Sequence, residues 1–233
     1  MTLQAVILAG GLGTRLRQLY PDRPKGLVPI LGKPFLDWQT RWLERGGVSS
    51  VHIAGGHMAD KIAEWAGDLP RISVSAEPLP LGTAGGLKYV ESHLRSDPFL
   101  VLNGDSLLPR LDFQGLEKAH RDSSRPVTIA VTHIDQAGRY GTVDFDSGGT
   151  LTAFKEKANH DEGWINAGIY LMDRAVLASI EPNKNLSLET DIFPALVAQR
   201  KIGVFKVDGP LLDMGTPDGI QAMESYLAAH PSA

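Results

Sequence analysis

The chain contains no cysteine. That excludes disulfides and thiolate-held metal centres, and it agrees with a reducing compartment. No apolar run approaches the roughly 18–20 residues of a membrane-spanning helix, and no basic stretch followed by an apolar one opens the chain. A cytoplasmic protein without membrane contact is therefore expected. An excess of positive charge is also missing: 23 Lys and Arg stand against 27 Asp and Glu, a formal charge of −4. This gives no electrostatic footprint for nucleic acid. The seven histidines lack zinc-like spacing and are expected on the surface or in packing. No Gly/Ser/Pro linker and no internal repeat breaks the chain, and no six-residue β-helix repeat follows. One domain over residues 1–233 is expected, its halves meeting near residue 110.

What is present is an α/β pattern. Short β-branched runs at 3–8, 50–54, 71–75, 98–102, 126–133, 140–146, 150–155, 165–171 and 202–207 predict strands. Amphipathic stretches at 34–46, 58–66, 83–94 and 112–122 predict helices, followed by 173–180, 187–199 and 217–228. The first half reads βαβαβα, a Rossmann-like, mostly parallel sheet with helices on both faces. In the second half Asp146-Ser147-Gly148-Gly149 separates two β-rich runs and predicts a hairpin, making the sheet mixed. Trp38 and Trp42 lie four apart on one helix face, as core residues do.

The first strand runs into LAGGLGTRLRQLYPDRPKG. A strand ending in a glycine turn that leads toward a helix builds an anion site from free backbone N–H groups. A dinucleotide turn would need a third glycine where Leu16 stands, and the Walker A pattern is absent. A nucleoside-triphosphate loop with Arg15 and Lys25 as counter-charges remains, beside the plainer reading of a tight turn with two surface cations.

The segment Gly10-Gly11-Leu12-Gly13-Thr14-Arg15-Leu16, Pro24-Lys25 and Pro29 to Pro34 resembles the signature of the sugar-1-phosphate nucleotidyltransferases. The likeness continues through EPLPLGTAGG (77–86), LNGDS (102–106), RYGTVDFD (139–146), FKEK (154–157), INAGIY (165–170) and LLDMGTPDG (211–219). Gly26 departs from the family, which has proline after the lysine. The resemblance implies a GT-A-like nucleotidyltransferase fold, a first half that binds nucleotide and a second that binds sugar phosphate. The reaction implied is attack by a sugar 1-phosphate on the α-phosphorus of a nucleoside triphosphate, with pyrophosphate leaving. Two anions must meet, so positioning and charge neutralisation carry the catalysis.

Asp105 follows the apolar run 99–102, at the carboxyl end of a strand, where open α/β sheets take their ligands. Mg²⁺ suits one or two such carboxylates together with substrate phosphates. By resemblance the second metal aspartate is Asp213, Lys157 holds the sugar phosphate, Glu156 accepts from sugar hydroxyls, and Arg15 and Lys25 face the triphosphate. Lys155 falls on the opposite strand face, in solvent. Asn103, Tyr140, Gly141, Asn166 and Gly168 complete the expected sugar-phosphate pocket. Asn166 can donate and accept, and Gly168 would let the ligand approach closely. Leu8, Gly10, Gly11, Gly13, Thr14, Glu77, Pro80, Gly82 and Thr83 form the expected nucleotide pocket. Glu77 stands where thymidylyl- and uridylyl-type relatives often carry glutamine. A carboxylate only accepts, which matches the adjacent N1–H and N2–H₂ donors of guanine and mismatches uracil and thymine, so GTP is the expected nucleotide. The PLGT pattern and the chain's length are most similar to the D-glycero-α-D-manno-heptose 1-phosphate guanylyltransferases, with mannose 1-phosphate the next sugar and a uridylyltransferase the next nucleotide class. Such an enzyme would make GDP-heptose for capsule or surface glycan, and self-association into a homo-oligomer stays open. Non-catalytic members of the fold are expected to lose the cations or a metal aspartate, and this chain keeps them.

Overall fold

The computed structural model describes residues 3–11, 13–67, 69–135, 141–155 and 162–231. In chain order the elements are β1 (Gln4–Ala9), β2 (Pro29–Ile30), β3 (Lys33–Pro34), α1 (Phe35–Arg45), β4 (Ser50–Gly55), α2 (Ala59–Ala66), β5 (Ile72–Ala76) and α3 (Gly82–Tyr89). They continue with β6 (Phe99–Asn103), β7 (Ser106–Leu107), α4 (Phe113–Ser123), β8 (Val127–Ile134), β9 (Thr142–Phe145), β10 (Leu151–Lys155) and β11 (Gly163–Met172). The last are α5 (Phe193–Ala198), β12 (Ile202–Val207), β13 (Leu212–Asp213) and α6 (Pro217–Ala229).

Nine strands form one sheet in the order β10-β9-β11-β6-β1-β4-β5, with β8 on the other edge of β11 and β12 beside β8. The block β6-β1-β4-β5 is parallel, with Ala5 opposite both Val51 and Leu100. Such strands need crossover helices, and those helices cover both faces. The second half adds antiparallel pairs: β11 lies against β6 with Ile169 opposite Leu102, and against β8 and β9. A register break in β11 between Asn166 and Tyr170 bends the strand at the sheet centre. The expected hairpin closes at Asp146, whose carbonyl accepts the Gly149 N–H at 3.0 Å and whose Oδ1 accepts the Thr150 N–H at 2.9 Å.

The period-two alternation of β1 divides the core in two. Leu3, Ala5 and Ile7 pack with Phe35, Trp42 and Met223 on one face, while Val6 packs with Leu87, Tyr170 and Phe193 on the other. Both faces being covered explains why the strands read as unbroken apolar runs. Trp42 packs its ring 4.9 Å from Phe113, and half-buried Trp38 donates its indole N–H to the Ile30 carbonyl at 2.9 Å. Both are packing residues, as their spacing indicated.

Two expected helices are broken. The segment 83–94 leaves α geometry at Val90, whose N–H reaches the Gly86 and Lys88 carbonyls and tightens into a 3₁₀ turn at Glu91–His93. In 187–199 a wide turn over Leu188–Ile192 precedes α5, because Pro194 has no N–H for a continuous ladder and starts a new helix instead.

Candidate active site

A cleft of about 590 Å³ opens at the carboxyl ends of β1 and β6. From β1 it takes Leu8 and Ala9, then the loop residues Gly10, Gly11, Gly13, Thr14 and Arg15. After the loop the Gly13 carbonyl accepts the N–H groups of Leu16 and Arg17, both at 3.0 Å, and buried Leu16 pins this turn into the core. Arg15 is left exposed on the cleft wall.

The floor carries the charge. A 3₁₀ turn at Lys25–Leu27 brings the Lys25 Nζ to 2.6 Å from Asp105 Oδ2, and the Ser106 hydroxyl donates to Asp105 Oδ1 at 3.0 Å. Past Asp105, β7 pairs antiparallel with β13, setting Asp213 opposite Ser106, and the Met214 N–H donates to the Asp105 carbonyl at 3.0 Å. Two residues far apart in the chain thus become neighbours through a ribbon of two residues per strand. The Gly215 N–H donates to Asp213 Oδ1. Burial, followed by the negative charge of Asp105, raises the Asp213 pKa above the usual carboxylate value, against the pull of Lys25 and Arg15. Among the described residues there is no group of three or more His, Cys, Asp or Glu fit to cage a metal. Two aspartates are nonetheless the donor set that suits Mg²⁺, which completes its shell with water and phosphate oxygens.

Glu77 follows β5 and lies half-buried between the loop and α3. A β-carbon at Gly10 would come 2.9 Å from its Oε1, and one at Gly86 would come 2.4 Å from it. Its Oε2 accepts the Leu81 N–H at 3.3 Å; burial raises its pKa, and that bond opposes the rise. Pro80, Gly82 and Thr83 line the same cleft, so every residue expected at the nucleotide lies along it.

The residues expected at the sugar phosphate are more scattered. Asn103 lines the cleft, but Gly141, Asn166 and Gly168 stand outside its lining. Asn166 is occupied within the protein: its Nδ2 donates to the Tyr170 hydroxyl at 2.8 Å and its Oδ1 accepts the Gly168 N–H at 2.9 Å. Gly168, with φ of +68°, makes room for Asn103, since a β-carbon there would fall 2.3 Å from Asn103 Nδ2. Lys155 is exposed, as expected, and pairs with Asp144 at 2.6 Å. Tyr140, Glu156 and Lys157 lie outside the described residues.

Sequence reading missed Glu189 and Asn185, which line the cleft from the segment before α5. Glu189 accepts from Tyr170 Oη at 2.8 Å, Ser187 Oγ at 2.9 Å and Thr83 Oγ1 at 3.2 Å. Tyr170 is fully buried, and burial, then the adjacent Glu189 charge, lifts its pKa well above the phenol value. The signal for Glu189 was weak: one carboxylate two residues after a capping serine, inside a stretch that reads as an ordinary helix.

Residues 4–229 match the model of the nucleotidyl transferase family. The chain is 31% identical over 228 residues to the D-glycero-alpha-D-manno-heptose 1-phosphate guanylyltransferase of Aneurinibacillus thermoaerophilus, covering 97% of this chain and 98% of that one. It is 35% identical over 235 residues to the mannose-1-phosphate guanylyltransferase catalytic subunit beta of Xenopus tropicalis, of which it spans 65%. Among solved structures, HddC from Yersinia pseudotuberculosis superposes with a TM-score of 0.86 at 28% identity, over 97% of this chain and all of that one. The same protein complexed with GMP-PN gives 0.84. With a cleft built from a glycine loop, two cations and a pair of aspartates, and with the match running over nearly its whole length, the chain belongs to the nucleotidyl transferase family.

Proposed function

We propose that this protein is a guanylyltransferase that joins GTP to a sugar 1-phosphate, with D-glycero-α-D-manno-heptose 1-phosphate as its sugar substrate. The observation that carries the reading is the cleft itself: Lys25 on Asp105, Asp213 opposite Ser106, Arg15 on the wall, and Glu77 in the lining. A sugar-phosphate oxygen forms the new bond to the α-phosphorus, and the bond between that phosphorus and the oxygen bridging to the β-phosphorus breaks. No protein nucleophile takes part. Arg15 and Lys25 offset the charge that builds on the departing pyrophosphate. Asp105 and Asp213 would hold Mg²⁺, which neutralises phosphate charge and aligns the two substrates when bound.

Glu77 supports guanine because its two oxygens accept from N1–H and N2–H₂ side by side, while the uracil edge turns carbonyls toward it. The relative with heptose 1-phosphate in its name matches almost end to end, which favours heptose. Mannose 1-phosphate is the second sugar reading, on the 35% identity to the Xenopus subunit. The division of labour follows the chain, with residues up to about 110 on the nucleotide and those from about 111 on the sugar phosphate. Lys157, Glu156 and Tyr140 belong to the latter by family resemblance. GDP-heptose made from cytoplasmic GTP would feed capsule or surface glycan. The test is a matrix of four nucleoside triphosphates against heptose, mannose and glucose 1-phosphates with Mg²⁺, read by pyrophosphate release. GTP with heptose 1-phosphate is expected to give the highest kcat/KM; a higher value for any other pair replaces this assignment.

A further inference from the structure

Against the glycine loop, outside the lining of the cleft, stands the turn that joins β4 to α2. It presses on the loop closely enough that a β-carbon at Gly56 would fall 2.6 Å from the Gly10 carbonyl oxygen. Met58, two residues on, is held at a φ of +59°, a left-handed conformation costly for a residue with a side chain. Between them His57 is half-buried, and among the described residues its Nε2 is buried with no hydrogen-bond partner. His57 also lines a hole of about 10 Å³, whose walls include Gly11, Gly13 and Lys25. A strained turn and an unpaired buried ring nitrogen sit together against the loop that the proposed function assigns to the triphosphate. Buried polar atoms are seldom left unpaired, and an exception invites a functional account.

The geometry of anion binding supplies one. When successive backbone N–H groups face an anion, the carbonyls of the same peptides face the opposite way. In this protein the Gly10 carbonyl oxygen is the atom that a β-carbon at Gly56 would meet first, so that carbonyl lies against the turn that carries His57. The Gly13 carbonyl is occupied by Leu16 and Arg17, which leaves the Gly10 and Gly11 carbonyls as the candidate acceptors among the described loop residues. We propose that His57 is a positioning residue for the phosphate loop: its Nε2–H donates to a Gly10–Gly11 carbonyl in the nucleotide-bound state, fixing the N–H groups toward the triphosphate. The inference rests on the nucleotidyl-transfer reading of the cleft. It concerns the loop's rear support, which touches neither substrate.

Two substitutions separate this role from simple packing. His57→Phe keeps ring volume and removes the donor, whereas His57→Gln restores an N–H at a similar reach. Steady-state kinetics with GTP, Mg²⁺ and heptose 1-phosphate are combined with thermal melting in the absence and presence of GTP and Mg²⁺. For His57→Phe, KM for GTP is expected to rise roughly tenfold while kcat and KM for the sugar phosphate change less than about twofold. Its ligand-free melting temperature should equal or exceed that of the wild type, because an unpaired polar atom is gone, but the rise on adding GTP should shrink. His57→Gln should recover most of that rise. Equal losses in both variants, an unchanged KM for GTP, or parallel shifts for both substrates overturn the proposal. A wild type whose melting responds to none of the four triphosphates overturns the nucleotide reading itself, and this inference with it.

Discussion

Lys25 Nζ sits 2.6 Å from Asp105 Oδ2, both side chains about a quarter exposed, at 20% and 32%. The ammonium is paired with Asp105 before any phosphate arrives, and it holds that side chain in place. Charge-assisted contacts of this kind are short and directional. Asp105→Asn keeps the shape, removes the charge and is expected to lower kcat by about 10³-fold or more, with circular dichroism unchanged. Lys25→Met leaves Asp105 and Asp213 facing each other without that counter-charge, and kcat/KM for GTP should fall about 10²-fold or more. Initial rates of pyrophosphate release measure both; near-normal rates in either variant remove that residue from the reaction.

Asp213 carries a pH signature. Its pKa is raised by burial and by Asp105, so the folded protein holds this proton more tightly than the unfolded chain does. Stability from this group is full below its ordinary value of 3.8 and is lost as pH rises through the elevated folded value. Asp213→Asn should therefore melt at or above the wild-type temperature at pH 7 in the absence of ligand, the difference narrowing as the solution is acidified, while turnover collapses. Melting curves from pH 3 to 8 read this directly. A variant that is less stable at pH 7 and equal at pH 3 has the opposite sign.

Glu77 is the residue on which base choice turns. Glu77→Gln exchanges one carboxylate oxygen for an amide donor, at a penalty for guanine of about 1–3 kcal/mol, or a roughly 5- to 150-fold fall in the ratio of kcat/KM for GTP to that for UTP. Competition between the two nucleotides in one tube gives the ratio without active-site titration. An unaltered ratio moves base reading to the backbone.

Tyr170 is the central member of a buried chain that runs from Asn166 to Glu189 and on to Thr83. Tyr170→Phe strands an amide donor and removes one donor from a carboxylate, costing about 1–3 kcal/mol. For a domain of this size that corresponds to a melting temperature lower by roughly 2–12 °C. Calorimetry of the variant provides the check. An unchanged melting temperature means that the polar chain adds nothing to the fold.

The strands of the first half could be read because both their faces are buried, which writes them as unbroken apolar runs such as Phe99-Leu100-Val101-Leu102. The hairpin at Asp146 was legible from its turn residues. The β7–β13 ribbon was not: two residues per strand leave no periodicity, yet this pairing is what seats Asp213 beside Asp105. Family resemblance named Asp213, and the chain's own pattern did not. The internal partners of Asn166 and Gly168 were not legible for a related reason. Their types suit a sugar pocket, but the bend in β11 turns the amide onto Tyr170 and lets Asn103 fill the space over the glycine. Glu189 went unnoticed because its significance lies in Tyr170 and Thr83, two partners from other segments.

The central claim is that GMP is transferred intact to a sugar phosphate, and two isotopic labels test it in one reaction. With GTP labelled at the α-phosphorus, label should appear in a GDP-sugar; with GTP labelled at the γ-phosphorus, all of it should leave as pyrophosphate, in equal molar amount. Label released as inorganic phosphate, or an α-phosphorus that never reaches the sugar product, contradicts the account.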